Sequence, residues 1–273
     1  MDGMLILALS CYVTGSAGFF GYLLARKDAA HTFGHAFFLA GVLCHTLVLG
    51  ISFVVTGHLP VENLRESLGF LAWAVAVVFV SFQARYNLKV LGALAGPFVC
   101  AALVISLALP AEAYQEPDLL KSIWMFFHIS AIFLGDGAFV LAALVGGIYL
   151  LQERAIKSKS HGFFFQRLPS LQKLDSMGYA LVAFGFPLLT IGMITGFIYA
   201  QTVWGRWWSW DPKEVWSLVT WLVYAALLHG RMVKGWQGRR TALLALAGLF
   251  VVLFTFLGVN LLLPGHHGQF AVF

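Results

Sequence analysis

The sequence predicts an all-α polytopic membrane protein with about eight transmembrane helices and both termini outside. Hydrophobic residues fill 60% of the 273 positions and charged residues only 11%, against roughly 25% charged residues in soluble domains. Mean hydropathy is +0.84. The apolar residues form long continuous runs, without the alternation of an outer-membrane barrel. This pattern excludes a soluble domain and a disordered chain.

Eight apolar segments mark the predicted helices, since a helix of roughly 20 apolar residues crosses a bilayer. Helices are favoured because lipid requires each spanning segment to satisfy its own backbone hydrogen bonds. The first segment lacks the basic start and small-residue cleavage site of a signal peptide, so we expect it to remain a helix. The third is short. The segments are 4–25, 33–56, 68–83, 90–110, 123–150, 178–200, 212–230 and 241–263.

The lysines and arginines concentrate in alternate loops, and this asymmetry predicts the orientation. Basic residues accumulate on the cytoplasmic side, so the loops around 57–67, 111–122 and 201–211 are expected outside. The polar insertion at 151–177 is expected to be a cytoplasmic basic loop beside anionic lipid. The net charge of +5 therefore reports orientation, not nucleic-acid binding. The cytoplasmic set holds 13 of the 17 basic residues: Arg26, Lys27, Arg85, Lys89, Arg154, Lys157, Lys159, Arg167, Lys173, Arg231, Lys234, Arg239 and Arg240.

The three cysteines lie within apolar runs and give no evidence for a thiol-based function. Cys11, Cys44 and Cys100 form no CxxC pair, so a disulfide framework and a thiolate metal site are unsupported. The chain also has no CxxCH motif, so it does not itself carry covalently attached haem.

A tryptophan-rich stretch is the most unusual feature of the sequence. An interfacial aromatic belt is one interpretation, but a belt needs only one or two rings at each helix end. The alternative is a flat platform at the outer surface, on which indole rings stack a planar ligand while Arg206 pairs with ligand carboxylates. Six of the nine tryptophans fall within 18 residues: Trp204, Trp207, Trp208, Trp210, Trp216 and Trp221.

The residues after this stretch predict the start of a helix. Asp211 suits the N-cap, Pro212 the first helical position and Glu214 the acidic position of a capping box. The positive end of the helix dipole would then lie beside the tryptophans. A planar aromatic ligand with carboxylate arms fits this combination, and haem is the obvious candidate.

Three histidines are predicted at the level of the tryptophan-rich stretch. His128 lies near the outer end of the fifth segment, and His266 and His267 follow the eighth. Each of these histidines, taken alone, could simply be a polar residue at the membrane interface. Together, His128 and His267 (or His266) could ligate haem iron on its two faces.

Two further histidines lie at other predicted depths. His45 falls near the middle of the second segment, where an ionisable residue usually marks function. His229 follows Pro212 by a helical length of about 25 Å, which puts it near the cytoplasmic face, where it could also simply snorkel. These positions suggest a route for haem across the bilayer.

The remaining polar residues are assigned less specifically. Asp136 lies in mid-membrane, where a packing contact, a proton-linked role and a neutral acid all stay open. The other histidines are interpreted as surface residues: His31, His35, His58 and His161.

The stretch 204–225 resembles the WWD signature of haem-handling proteins, and the chain is similar to the CcsA/ResC proteins of System II cytochrome c biogenesis. The segments 57–68, 124–128, 228–231 and 258–267 also resemble parts of that family. Two departures are Arg65, where the family often has an aromatic residue, and Asp136, where a small or hydroxyl residue is expected.

The resemblance implies one integral-membrane domain over 1–273, in which a WWD loop at 201–217 binds b-type haem non-covalently on the outer side. It implies that His128 and His267 are the iron ligands and favours His267 over His266. It also implies a transmembrane role for His229. The implied location is a bacterial inner membrane with the loop on the periplasmic or extracytoplasmic side, and the compartment outside stays open between the periplasm, the exterior of a Gram-positive cell and a thylakoid lumen. A separate CcsB/ResB-type membrane subunit and CxxCH apocytochrome c are the implied partners.

We therefore expect a haem-translocating and haem-presenting subunit of a cytochrome c synthase. No catalytic residue is expected from this chain, because the attacking thiols belong to the apocytochrome; at most it is the haem-lyase component. The alternatives are a haem chaperone that serves a carrier protein, a b-type electron-transfer cytochrome and an assembly protein that binds no haem. The candidate haem-binding residues are His128, His267, Trp204, Trp207, Trp208, Trp210, Asp211, Arg206, Trp216, His229 and His45.

Overall fold

The computed structural model describes residues 1–110, 120–159 and 162–262, and these contain helices and turns but no strand. A π-helical turn, Phe254–Gly258, separates the last two helices. The helices are α1 (Asp2–Ala25), α2 (Asp28–Thr56), α3 (Leu64–Tyr86), α4 (Gly92–Ala108), α5 (Ile123–Lys157), α6 (Phe163–Arg167), α7 (Leu171–Trp204), α8 (Pro212–Lys234), α9 (Arg239–Leu253) and α10 (Val259–Leu262).

The predicted all-helical membrane fold is confirmed. Each of the eight apolar segments coincides with one long helix, except that the last is divided by the π-helical turn. Among the described residues, six helices are long and apolar enough to cross a membrane: α1, α2, α3, α5, α7, and α9 with its π-helical turn. The apolar helix α4 is shorter. A count of eight spans with both termini outside stays a prediction.

The structure revises the expected loop at 151–177. Helix α5 continues to Lys157, and α7 begins at Leu171. The i, i+4 ion pair between Glu153 and Lys157 (2.7 Å) extends the first of these helices, and Ser170 caps the second. Both helices have over 30 residues, which is about 50 Å, against a hydrocarbon core of about 30 Å. Hydropathy marks where the apolar segment ends, but these helices continue into polar sequence.

The helices pack in two groups. In the first, α1 contacts α2 and α4, and α3 contacts α4. In the second, α5 contacts α7 and α9, and α8 packs against α7 and α9. The contact between α3 and α5 joins the groups.

Glycines allow α1 and α2 to approach closely. A Cβ atom at Gly18 would lie 2.5 Å from the Cα atom of Gly34, and one at Gly15 would lie 2.8 Å from the backbone nitrogen of Phe38. Small residues favour membrane helix packing because they bring two backbones into van der Waals contact. The α1–α2 contact therefore depends on the absence of side chains at these positions.

Glycines also line the contact between α5 and α7, which positions the candidate site. A Cβ at Gly135 would lie 3.1 Å from the Gly185 carbonyl oxygen, and one at Gly185 would lie 3.0 Å from the Gly135 oxygen. Further along α7, a Cβ at Gly192 would meet Ile132 at 2.6 Å. These close approaches bring the α7 backbone within reach of side chains on α5.

The start of α7, the end of α8 and the start of α9 are joined by one carboxylate. Asp175 accepts hydrogen bonds from Arg231, from the backbone N–H of Gly238 (2.7 Å) and from the Thr241 hydroxyl (3.2 Å). Nearer the middle of the bundle, the ring of Tyr224 stacks on Phe139 with centroids 3.5 Å apart. These contacts fix α8 against α5 and α9.

We expect Gly18→Ala to destabilise the protein, because the added methyl group would collide with the α2 backbone. Overpacking of this kind typically costs about 1–3 kcal/mol. The matched control is Gly50→Ala, since a Cβ at Gly50 has no atom within 4 Å. Thermal unfolding in detergent should show a lower midpoint for Gly18→Ala alone. Equal midpoints for the two variants would contradict this account of the α1–α2 contact.

Candidate functional site

A large open cavity lies between α5, α7 and α8. Its empty volume, including space open to solvent, is about 1420 Å³. The start of α3 and the π-helical turn complete its wall. Most of the wall is apolar, and the polar residues in it are Ser67, His128, Asp136, Lys213, Glu214, Ser217 and Thr255.

His128 lies in this wall with a fixed orientation. Its Nδ1 is 2.7 Å from the carbonyl oxygen of Gly192 on α7. A carbonyl can only accept, so Nδ1 carries the proton and, in the neutral ring, Nε2 carries the lone pair. Gly196 provides the space for the ring, because a Cβ there would lie 2.7 Å from Nδ1. The arrangement is that of a histidine metal ligand supported by a backbone carbonyl.

The polar residues of the wall extend along α5 from His128 towards the middle of that helix. Asp136 follows His128 by eight residues on α5, a distance of about 12 Å along the helix axis. It is 9% exposed and shares this deeper region with Thr255. Lys213 lies in the first turn of α8. The structure thus brings Asp136 to the cavity, and it adds Lys213 to the site, which the sequence analysis missed.

The predicted start of α8 is confirmed. The Asp211 side chain accepts from the Lys213 backbone N–H (2.9 Å), Pro212 occupies the first turn, and Glu214 completes the capping box. Asp211 is 4% exposed. The helix therefore begins where local sequence signals place it.

Glu214 also holds the loop that carries the tryptophans. Besides the Asp211 backbone N–H (3.2 Å), its carboxylate accepts from the backbone N–H (2.8 Å) and the hydroxyl (2.9 Å) of Ser209. The loop between α7 and α8 contains two residues with positive φ, Gly205 (69°) and Trp210 (60°). An aromatic residue rarely adopts this backbone conformation, so the three hydrogen bonds to Glu214 help to hold the loop in it.

The tryptophans are distributed over different surroundings. Trp204 lines the cavity. Trp208 packs on Phe197 and meets Trp210 nearly at a right angle (88°). Trp207 and Trp210 are 58% and 78% exposed, and neither is in the cavity wall. The rings therefore do not form one coplanar platform in this structure.

The two tryptophans on α8 contribute to helix packing. Trp216 contacts the Phe254 ring with centroids 4.3 Å apart. The indole N–H of Trp221 donates to the Thr190 hydroxyl at 3.0 Å. Both contacts lie outside the described cavity wall.

The remaining predicted site residues lie away from the cavity. Arg206 is exposed in the loop before α8 and is not in the wall. His45 is 0% exposed on α2; its Nδ1 is 3.5 Å from the Tyr12 hydroxyl, and within the described chain its Nε2 has no hydrogen-bond partner. His229 is exposed near the C-terminal end of α8. His266 and His267 lie outside the described residues.

The interpretation of His31 and His58 as surface residues was wrong. His31 is 9% exposed and its Nε2 is 3.0 Å from the Gln83 amide nitrogen. His58 is 3% exposed, with Nδ1 3.0 Å from the Leu59 carbonyl oxygen and Nε2 2.9 Å from Glu62. Tertiary packing buries both rings, and their partners satisfy these nitrogens. The neighbouring Val61 lines the cavity, so the segment around His58 supports part of its wall.

Comparison with known proteins agrees with the family resemblance seen in the sequence. The family model described as "Cytochrome C assembly protein" matches residues 61–267, a range that contains every described residue of the cavity wall. A "Cytochrome c biogenesis protein CcsA" from Guillardia theta is 37% identical, covering 90% of this chain and 88% of the relative. The protein of that name from Synechococcus elongatus is 33% identical, covering 97% and 93%.

A solved structure gives a similar result for the fold. "Cytochrome c Heme Lyase CcmF" matches with a TM-score of 0.63 over 94% of this chain, at 17% sequence identity. The chain spans 46% of the length of that protein. At this identity the likeness shows the fold alone. Together with the apolar helices, the family model and the CcsA relatives identify the chain as an integral membrane protein that belongs to the CcsA-type family of cytochrome c assembly proteins.

Proposed function

We propose that this chain binds haem at the outer end of the α5–α7–α8 cavity and presents it for attachment to apocytochrome c. The observation that carries the proposal is the position of His128, which lies in the wall of a cavity of about 1420 Å³ with its lone pair on Nε2. The names of the relatives, which refer to cytochrome c biogenesis and to a haem lyase, support this reading.

The cavity suits haem in its chemistry. Its wall is mainly apolar, with Trp204, Phe197 and Phe133 among the aromatic residues. Such a wall fits a macrocycle that is apolar over most of its surface, and neutral imidazole is an established axial ligand of haem iron. A b-type, non-covalently held haem is therefore the cargo that we assign to this cavity.

A second iron ligand is expected from the end of the chain. His267, with His266 as the alternative, lies outside the described residues, so its proposed role rests on the sequence pattern and the family resemblance. With His128 it would hold the iron until a histidine of the incoming apocytochrome replaces one of the two ligands.

The loop between α7 and α8 is proposed to hold the macrocycle at the mouth of the cavity. Trp204 already lies in the wall, while the exposed Trp207 and Trp210 could close over a bound ligand or meet the apocytochrome. Trp208, Trp216 and Asp211 support this loop and the start of α8.

The role of the chain is to position the haem. The thiols that add to the haem vinyl groups belong to the CxxCH motif of the apocytochrome, so this chain supplies no nucleophile. Holding two reactants in place can itself provide a large acceleration. We propose that a separate CcsB/ResB-type subunit completes the complex, and that the WWD loop faces the periplasm in a bacterial inner membrane.

An electron-transfer cytochrome is less consistent with the structure. Such a protein normally pairs histidines on facing helices, but His45 packs against Tyr12 of α1. A haem chaperone that serves a carrier protein would use the same cavity. Co-purification separates the two remaining functions, since a CcsB-like subunit favours the synthase and a small haem-carrying protein favours the chaperone.

We expect His128→Ala to weaken haem binding at least about tenfold, since loss of even an outer-shell partner of a metal ligand costs 10–100-fold. The measurement is an absorption titration of haem-stripped protein in detergent, and added imidazole should restore the bound spectrum. His45→Ala is the matched control, because His45 is not in the cavity wall. Weaker binding in His45→Ala together with unchanged binding in His128→Ala would place the haem elsewhere.

Glu214→Gln is expected to loosen the tryptophan-bearing loop. A carboxamide oxygen can still accept from the two backbone N–H groups, and its NH2 can donate to the Ser209 hydroxyl, but the negative charge is lost, so all three charge-assisted hydrogen bonds become weaker. Faster hydrogen exchange in 205–211 and weaker haem binding should follow. Ser209→Ala, which removes only the hydroxyl contact, should have a smaller effect. Wild-type exchange rates in Glu214→Gln would contradict the anchoring role.

The proposed route across the membrane predicts that His45→Ala and His229→Ala impair the delivery of haem, whereas His128→Ala impairs its binding. Protein isolated from cells should then contain less haem, because delivery is impaired. The same variants should bind added haem normally in detergent, because the outer site is intact. Wild-type haem content in both variants as isolated would rule out this route.

A further inference from the structure

We infer that Lys213 forms the carboxylate-binding subsite of the cavity and pairs with a propionate of the bound haem. The inference rests on the proposed function, because it assumes a haem ligated by His128. Its structural basis is that Lys213 is the only lysine or arginine in the described wall of the cavity.

The ammonium group of Lys213 lacks a direct partner within the described part of the chain. None of the side-chain hydrogen bonds or ion pairs there involves its Nζ. The two nearest acids along the chain are otherwise engaged: Asp211 caps α8, and Glu214 accepts three hydrogen bonds from the loop. Asp211 attracts the ammonium electrostatically without forming an ion pair with it.

This environment favours a carboxylate ligand. A partly buried ammonium loses hydration, and a hydrogen-bonded anion offsets that loss. Lys213 stands in the first turn of α8, near the outer end of the same cavity that His128 faces. A planar ligand that meets His128 through its metal could therefore extend a carboxylate arm to Lys213.

Arg206 is the other basic residue near the tryptophans, but its position is less suitable. It is exposed and lies outside the cavity wall. Pairs between exposed charges are weakened by solvent and contribute little. Lys213 therefore replaces Arg206 as the residue that we assign to the propionate.

The deeper part of the cavity reinforces this assignment. Asp136 is the acidic residue there, 9% exposed, and no hydrogen bond of its side chain occurs within the described chain. An ionised Asp136 would repel a ligand carboxylate, whereas Lys213 would attract one. The cavity thus distinguishes the two ends of a ligand whose carboxylates lie on one edge, and it favours the orientation with that edge towards Lys213.

The test compares haem with its dimethyl ester, in which both propionates are neutral. Haem-stripped protein in detergent is titrated with each ligand, and the ratio of the two dissociation constants is measured. The variants are Lys213→Met, which keeps the aliphatic stem without the charge, Lys213→Arg, which keeps the charge, and Arg206→Met as the matched control.

We expect wild-type protein to bind haem about 10- to 100-fold more tightly than the ester, the range for a charge-assisted hydrogen bond. Lys213→Met should bring the ratio close to one, mainly by weakening haem binding. Lys213→Arg and Arg206→Met should keep most of the wild-type preference. The retained preference in Lys213→Arg would also show that substitution at this position leaves the site folded.

Three results would overturn the inference. The first is an equal affinity of wild-type protein for haem and its ester. The second is an unchanged ratio in Lys213→Met while His128→Ala still abolishes the bound spectrum, which would leave the proposed function intact. The third is loss of the preference in Arg206→Met alone. If His128→Ala instead binds haem as wild type does, the proposed function fails together with the inference.

Discussion

The close packing of α5 against α7 is the constraint on which the site depends. Glycines at 135 and 185 bring the two backbones together, and the α7 backbone can then supply the carbonyl of Gly192 to the ring of His128. Gly196 leaves room for that ring. A larger residue at any of these positions would shift α7 or rotate the imidazole. The same small residues that serve membrane helix packing therefore also set the direction of the candidate iron ligand.

A second set of contacts fixes the edge of the cavity at the start of α8. Asp211 and Glu214 cap α8 and, through Ser209, hold the preceding loop in a conformation that includes a tryptophan with positive φ. This local order separates the tryptophans into one that lines the cavity and two that remain exposed. The division fits a loop that contacts a cargo on one side and a partner protein on the other.

Local patterns in the sequence predict much of this fold. Continuous apolar runs identify the long helices, and the order Asp211-Pro212-Lys213-Glu214 predicts the start of α8. Contacts between distant segments are not encoded in such patterns. The burial of His31 on α2, for example, involves Gln83 on α3, whose amide nitrogen lies 3.0 Å from its Nε2. The place of Lys213 in the wall depends on how α8 packs against α7. Asp136 stands out in the sequence because a carboxylate in an apolar helix is costly, but only the assembled helices show that it faces the cavity.

The central claim is that His128 presents its Nε2 to haem iron inside the α5–α7–α8 cavity. The most direct measurement is a cryo-electron-microscopy structure of the haem-loaded protein in complex with its membrane partner. We expect a macrocycle within this cavity, with iron bound to Nε2 of His128 and the propionate edge towards Lys213. A macrocycle bound at His45, or on the exposed faces of Trp207 and Trp210 with His128 free of iron, would contradict it.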